Sequence, residues 1–576
     1  MTARVMIPAD LRARAEAWAA DDPDPQDSSE LRDLLRRGDA GDAAAAAELA
    51  DRFAARLEFG TAGLRGEVAA GPNRMNRAVV RAATAAVAGW LRERGPGAAE
   101  AGVVVGCDAR HRSDAFADEV TGVLASAGIR VHLLPRRQPT PLLAFAVRHL
   151  AAAAGIMITA SHNPPADNGY KLYLDDGAQI VPPADAEIEA RIRALGPLTR
   201  VPAGHCDASI VTRHGDDIVE AYLRAICAIS PAPPSPPGPA LRVVYTPLHG
   251  VARDLALRAI RRAGFPDPHV VAAQAEPDPA FPTVAFPNPE QPGALDLALA
   301  DARRLGAGIV LANDPDGDRL AVAVPDPAAE GGWRVLTGDQ LGALLGSYVL
   351  ERTAADPDPG ARVAVSTVVS STLLSRIAAA AGARYAETLT GFKWIVRAAQ
   401  GQPPGSRFVY GYEEALGYVI GDAVRDKDGI GAALAVLGLA VTARSAGESL
   451  LDRYDALETR HGVHLTAQLT LETGDPGRVM AGLRATPPAR LAGTPVTSAA
   501  DLADGSDALP PSDVLVYRLA GGRVVVRPSG TEPKLKAYLE VVEPVAGGRL
   551  EAARATARGR LEPLREAVAA LLRAPS

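Results

Sequence analysis

Strand-length apolar runs alternate with Ala- and Leu-rich helical stretches through most of this chain, and that alternation constrains the fold more than any other feature. Strands that return to one sheet through a helix run parallel, so the pattern predicts βαβ units and parallel-rich sheets. At 576 residues the chain is too long for one core, and roughly three to five domains of about 100–200 residues are expected.

Three of the units resemble one another. Strands at Val103–Val105, Val243–Tyr245 and Val363–Val365 each run into a loop of small or polar residues. Roughly 45–65 residues later, a spacing that points to whole related domains rather than a solenoid, comes a second strand: Gly155–Ile158, Gly308–Leu311 and Arg407–Tyr410. A distinctive loop follows each. The predicted architecture is α/β: three related α/β domains with mixed, largely parallel sheets plus a C-terminal α+β domain, around a central cleft fed by the strand-end loops. Boundaries are expected at 1–55 (a helical N-terminal extension), 56–208, 209–328, 329–458 and 459–576, with a Pro-rich linker at 230–239. Val463–Leu471 alternates like a strand with one exposed face, and Glu551–Leu572 reads as the last helix.

Composition narrows the class. A net charge of -7 gives no basic footprint for nucleic acid or an anionic membrane. The stretch Gly429–Val441 is too short to span a bilayer and reads as a buried helix. Cys107, Cys206 and Cys227 have no metal or redox spacing and fit small core residues in a reducing cytoplasm.

Four loops carry chemistry. Thr159-Ala160-Ser161-His162-Asn163-Pro164 sets a serine hydroxyl and a histidine at a strand end, where the serine can carry a phosphoryl group. Asp314-Pro315-Asp316-Gly317-Asp318-Arg319 places three carboxylates at alternate positions, a pattern suited to Mg2+. An EF-hand is excluded because Gly stands fourth rather than sixth and Pro325 occupies position twelve. Arg527-Pro528-Ser529-Gly530-Thr531, followed by Lys534, is a tight turn of N–H groups, hydroxyls and cations that suits a phosphate. Glu413-Glu414 in Gly411–Gly417 can accept hydrogen bonds from sugar hydroxyls, with Lys393 and Lys427 on neighbouring loops. Arg65 ends the glycine-rich segment Gly60–Gly66, read as a flexible loop, and Lys171 lies ten residues from Ser161, close enough in sequence to serve as acid, base or phosphate clamp. His249 fits a structural role as well as a catalytic one.

Together these motifs resemble the α-D-phosphohexomutases, the phosphoglucomutase/phosphomannomutase superfamily, from about Arg56 to Glu540, and details such as Gly391-Phe392-Lys393-Trp394 resemble its longer phosphoglucomutase/phosphopentomutase branch. The resemblance implies a four-domain enzyme in which Ser161 is the phosphoserine and Ser161, Asp314, Asp316 and Asp318 ligate magnesium. The implied catalytic set is Ser161, His162, Lys171, Arg65 and Arg319. The implied substrate-binding set is Lys393, Glu413, Glu414, Lys427, Arg527, Ser529, Gly530, Thr531 and Lys534. Hexose 1-phosphate and 6-phosphate, glucose first, would interconvert through a bisphosphate, with glucose 1,6-bisphosphate as activator and intermediate. Sugar phosphates are the expected partners, without nucleic acid or membrane, in the cytoplasm. Phosphomannomutase, phosphopentomutase and sugar bisphosphate synthase are the alternatives. One departure is Ala415, where many phosphoglucomutases carry Ser after the Glu pair. Nothing covalent ties the C-terminal domain to the rest, so it is expected to close over a bound phosphate.

Overall fold

The computed structural model describes residues 7–204, 209–230, 240–356, 358–506, 509–529 and 534–573; the expected linker at 230–239 lies almost wholly outside them. They form two compact units. One holds the described residues of the first 230, Ala240–Ala323 and Ala423–Leu434; the other holds Val324–Asp422 and those from Ala435 onward.

The first unit opens with three helices, Ala9–Asp21, Pro25–Asp39 and Ala43–Arg52. Their Leu and Ala faces close a small core around Leu31, Leu49 and Phe53. Asp24-Pro25 is a helix start, in which Asp24 accepts from Gln26 N–H and Pro25 takes the first helical position; Asp22 ends the helix before it. The first sheet runs Leu64–Glu67, Asp167–Leu174, Ala154–Ile158, Val103–Cys107, Val131–Leu133, Val211–Arg213. Its last four strands run parallel to one another, and its first two are antiparallel to their neighbours. Val103, Val104 and Val105 are fully buried, as a two-sided sheet requires. Val211–Arg213 pairs with Val131–Leu133, so this sheet continues beyond the expected boundary at residue 208. Arg65 lies within a strand, opposite Gly169, rather than on a flexible loop.

In the second sheet Val243–Thr246 lies parallel to both Ile309–Asn313 and His269–Val270, and the chain from Leu320 returns antiparallel along Ile309–Asn313. The loop after Val243–Thr246 touches the acidic turn: Val251 N–H donates to Pro315 O at 2.9 Å.

The second unit contains two sheets. Arg384–Thr388, Arg362–Thr367 and Arg407–Glu413 are parallel, and Gly417–Ile420 returns antiparallel. The C-terminal sheet is antiparallel throughout, beginning with Val463–Glu472 beside Lys534–Glu543, and the helix Leu550–Arg573 closes its core. The α/β domains and the α+β C-terminal domain are as expected. The helix Gly429–Ser445 is buried along its apolar length. Among the described residues no single helix is long and apolar enough to cross a membrane.

In all three α/β sheets the second strand and its antiparallel return form a hairpin, and the turn of each hairpin is a motif loop. Gly250 has no room for a side chain: a Cβ there would lie 2.4 Å from Pro315 Cα and O. Gly250→Ala is therefore expected to displace the acidic turn and cost about 1–3 kcal/mol by overpacking, read as a lower urea midpoint.

Candidate active site

The strand Ala154–Ile158 is wholly buried and delivers Ser161 to the turn of its hairpin. Ser161 is 3 % exposed and left-handed, at φ 52°. A non-glycine residue there costs about 1–3 kcal/mol and persists only where its surroundings hold it. Thr159 Oγ1 accepts the Ser161 N–H at 2.9 Å, and Arg110 Nη2 donates to the Ser161 carbonyl at 2.6 Å. Ser161 Oγ donates to Asp314 Oδ2 at 2.9 Å and lies 3.3 Å from His162 Nδ1.

Asp314, Asp316 and Asp318 have no exposed surface, and one oxygen of each lies within 4.8 Å of the others. Gly317, at φ 71°, makes the turn that folds them together. Lys171 Nζ is 2.7 Å from Asp316 Oδ2 and 3.2 Å from Asp318 Oδ2. Lys427 Nζ is 3.2 Å from Asp318 Oδ2 and 3.4 Å from Asp426 Oδ1. Thr140 Oγ1 donates to Asp316 Oδ2 at 2.7 Å. Arg319 Nε lies 3.9 Å from Asp314 Oδ2, the oxygen that receives Ser161, and its Nη1 lies 3.7 Å from Glu290. Arg65 Nη1 donates to Asn163 Oδ1 at 2.9 Å, at the far end of the serine loop.

Lys171 stands on the strand Asp167–Leu174, opposite Met157, with its ammonium on the carboxylates that adjoin Ser161. Lys427, expected beside the sugar loop, also lies on this acidic cluster.

Lys171, Lys427 and Arg319 face the carboxylates of Asp314, Asp316, Asp318 and Asp426. Oδ1 of Asp316 and of Asp318 is buried with no hydrogen-bond partner. Two orphaned carboxylate oxygens beside a serine hydroxyl are an oxygen donor set that fits a hard divalent cation. Burial raises the Asp314 carboxyl well above the usual range, and Asp316 and Asp318 add to it. Burial would raise Asp316 too, but the Lys171 charge and hydrogen bond lower it. Burial and then the neighbouring Arg319 and Arg65 hold His162 well below its usual value, keeping the imidazole neutral.

In the second unit, Glu413 ends the strand Arg407–Glu413 and Glu414 starts the turn. Ser370 Oγ donates to Glu414 Oε2 at 2.9 Å, and Thr367 Oγ1 reaches it at 3.4 Å. Lys393 lies in the short helix Phe392–Ile395, where its carbonyl accepts from Arg397 at 3.1 Å. Arg527 sits at the end of Gly522–Pro528, with its guanidinium 5.8 Å over the Tyr538 ring and 3.3 Å from the Tyr538 hydroxyl. Ser529 N–H donates to Lys534 O at 2.8 Å, closing the turn, and Lys534 Nζ lies 3.7 Å from Glu472. Gly530 and Thr531 lie outside the described residues. Burial and then the Glu414 charge raise Tyr538 to about 12.

Sequence reasoning missed Thr140, Asp426 and the grip of Arg110. Only Asp426 carried a signal, as part of the charged run before Gly429.

The family that this fold and site define is that of phosphosugar mutases, enzymes that move a phosphoryl group within a sugar phosphate. Four domain models match in order: phosphoglucomutase/phosphomannomutase alpha/beta/alpha domains I, II and III at residues 56–197, 220–330 and 337–460, and the C-terminal domain at 481–557. The chain belongs to the phosphoglucomutase/phosphomannomutase family. It is 41 % identical over 476 residues to a Haemophilus influenzae protein named "Probable phosphomannomutase", covering 81 % of this chain and 93 % of that one. It is 35 % identical over 563 residues to a Schizosaccharomyces pombe protein named "Probable phosphoribomutase", covering 92 % and 93 %. Its fold is similar to that of parafusin, a phosphoglucomutase of Paramecium, with a TM-score of 0.68 at 18 % identity, over 89 % of this chain and 95 % of that one.

Burial, and then the Glu413 charge, raise Glu414 to about 7. Because the folded value lies above the unfolded one, the stability this group contributes is complete below about pH 4.5 and is lost as pH rises through about 7. Glu414→Gln should flatten the fall in melting temperature between pH 5 and 8, measured by differential scanning calorimetry without substrate.

Proposed function

We propose that this mutase interconverts a sugar 1-phosphate and the terminal monophosphate of the same sugar through phosphoserine 161. The observation that carries the reading is the Ser161 hydroxyl bonded to Asp314 within a cluster whose orphaned oxygens suit a cation. Phosphoserine 161 gives its phosphoryl group to the free hydroxyl of the bound sugar monophosphate. The bond from phosphorus to Ser161 Oγ breaks, a bond to the sugar oxygen forms, and the hydroxyl proton passes to a base while Ser161 Oγ gains a proton. The bisphosphorylated sugar then turns round, and its other phosphate returns to serine. In sugars with a 6-phosphate this intermediate is the 1,6-bisphosphate, which also serves to prime the enzyme.

Asp314, Asp316 and Asp318, with a phosphoserine oxygen, would hold Mg2+. That ion supplies positive charge to the phosphoryl oxygens during transfer. Neutral His162, with Nδ1 3.3 Å from Ser161 Oγ, is the reading's proton carrier. Lys171 and Lys427 hold the carboxylates of Asp316, Asp318 and Asp426 in place. Arg65 and Arg319 are assigned to the reacting phosphate. Glu413, Glu414 and Lys393 are assigned to the sugar, and Arg527, Ser529, Gly530, Thr531 and Lys534 to the non-reacting phosphate.

Glucose is the first candidate sugar. A second reading, pentose 1-phosphate and 5-phosphate, is favoured by the relative named as a phosphoribomutase, which aligns over 92 % of this chain.

Ser161→Ala should lose at least about 10³-fold in turnover with an unchanged melting temperature. Retained turnover would sink the reading. Product analysis with glucose, mannose and ribose 1-phosphates, Mg2+ and the matching bisphosphate assigns the sugar. A ribose preference would replace the glucose reading and leave the serine chemistry standing.

A further inference from the structure

The helices Ala9–Asp21, Pro25–Asp39 and Ala43–Arg52 precede the first residue matched by the family domains and supply no group to the chemistry above. They nevertheless hold the first unit through charge as well as apolar packing. Asp27, 1 % exposed in its side chain, takes Arg112 as a fork: Nη1 is 2.7 Å from Asp27 Oδ1 and Nη2 is 3.0 Å from Asp27 Oδ2. Arg112 Nη2 also bonds Asp24, the cap of the same helix. Bidentate pairing of this kind fixes orientation as well as distance. Arg112 itself is left-handed, at φ 64°, immediately before the helix Ser113–Ser126. A non-glycine residue keeps that backbone only where its contacts hold it.

Two residues earlier, Arg110 grips the serine loop. Its Nη2 donates to the carbonyls of Ser161 and Asn163, each at 2.6 Å, and its Nη1 to those of Pro164 at 2.8 Å and Asp167 at 3.1 Å. One buried guanidinium thus spans the loop that contains the second left-handed residue, Ser161. The link between the two arginines is stiff. Asp108 Oδ1 accepts from Arg110 N–H at 2.9 Å and from Ser113 Oγ at 2.6 Å, and Asn168 Nδ2 donates to His111 O and Ser113 Oγ, both at 2.9 Å.

We propose that the N-terminal helices are a positioning element of the phosphoserine loop, acting through Arg112 at one end of the segment 108–113 and Arg110 at the other. The proposal rests on the reading of Ser161 as the phosphoryl carrier. In-line transfer is sensitive to small displacements of the reacting oxygen. Loosening the hold on Arg112 therefore lets the loop drift: transfer to sugar slows and water competes for the phosphoryl group.

The test compares three variants of the full chain. Asp24→Asn/Asp27→Asn keeps shape and capping while removing both charges. Arg112→Lys keeps the charge and removes the fork. Arg14→Gln is the control, because Arg14 Nη1 donates to Phe53 O at 2.9 Å within the same helices and makes no contact with Arg112. Melting temperature, kcat and KM for the preferred sugar 1-phosphate, and loss of 32P from phosphoserine to water are measured for each. The double variant and Arg112→Lys should lose about tenfold in kcat at a KM within about twofold and shed label faster. Arg14→Gln should keep wild-type kcat and label loss even if its melting temperature falls as far. Wild-type kcat and label retention in the two Arg112-directed variants, or a kcat loss in all three that tracks melting temperature, would overturn the proposal. Absence of label on Ser161 in the wild-type protein would instead sink the phosphoserine reading, and this proposal with it.

Discussion

Three carboxylates without solvent contact, packed against a serine hydroxyl, set the terms for the first unit. Burying charge is expensive unless it is paired and hydrogen-bonded. The partners come from distant parts of the sequence: Lys171 from the first sheet, Thr140 from the start of a helix in the first domain, and Lys427 from the loop before Gly429. That loop is anchored in turn. Asp426 accepts from Tyr173 at 2.6 Å and Gln179 at 2.7 Å, and Asp428 accepts from Tyr222 at 2.8 Å. A segment that follows the third sheet in sequence is thereby counted with the first unit. The demand for counter-charge, rather than continuity along the chain, decides where it lies.

The same balance explains why Ser161 is poised. Its hydroxyl donates to Asp314, the carboxylate that burial and its two neighbours push toward the protonated state, while Lys171 draws Asp316 the other way. A cation among these oxygens would remove the mutual repulsion. The Oδ1 atoms of Asp316 and Asp318 have no other partner for their lone pairs.

Much of this was legible in the sequence because it is local. Apolar runs of strand length became buried strands, and the serine, aspartate and glutamate loops became turns of equivalent hairpins, since each motif directly follows its strand. What sequence distance did not show is the partner. Lys171 lies ten residues from Ser161 on the return strand, and its side chain meets the next domain's carboxylates. Arg110 lies outside the four motif loops. Its grip on the carbonyls of Ser161, Asn163, Pro164 and Asp167 depends on loop curvature that no periodicity encodes. Val211–Arg213 is a short edge strand whose place follows from the pairing partner, not from its own composition.

The second unit bears on how the phosphate loop can move. The expectation of a C-terminal domain closing by itself treats that domain as loosely attached. Its sheet is instead joined to the sheet of Arg362–Thr367 by buried polar bonds running in both directions. Thr466 donates to Asp339 at 2.8 Å, Ser371 Oγ and Thr372 N–H donate to Glu540 at 2.8 and 2.7 Å, and Arg523 lies 2.7 Å from Glu387. Burial would raise Glu540, but His464 and Arg523 lower it to about 2, so it stays ionised in that contact. Val368, Val369 and Leu389 pack with Val516, Val525 and Tyr538 beside these bonds. Separating the two sheets would break these bonds and uncover the apolar seam, while Glu540 would keep His464 and Arg523 of its own sheet. These contacts hold Arg527 and the Glu413–Glu414 turn within one packed unit.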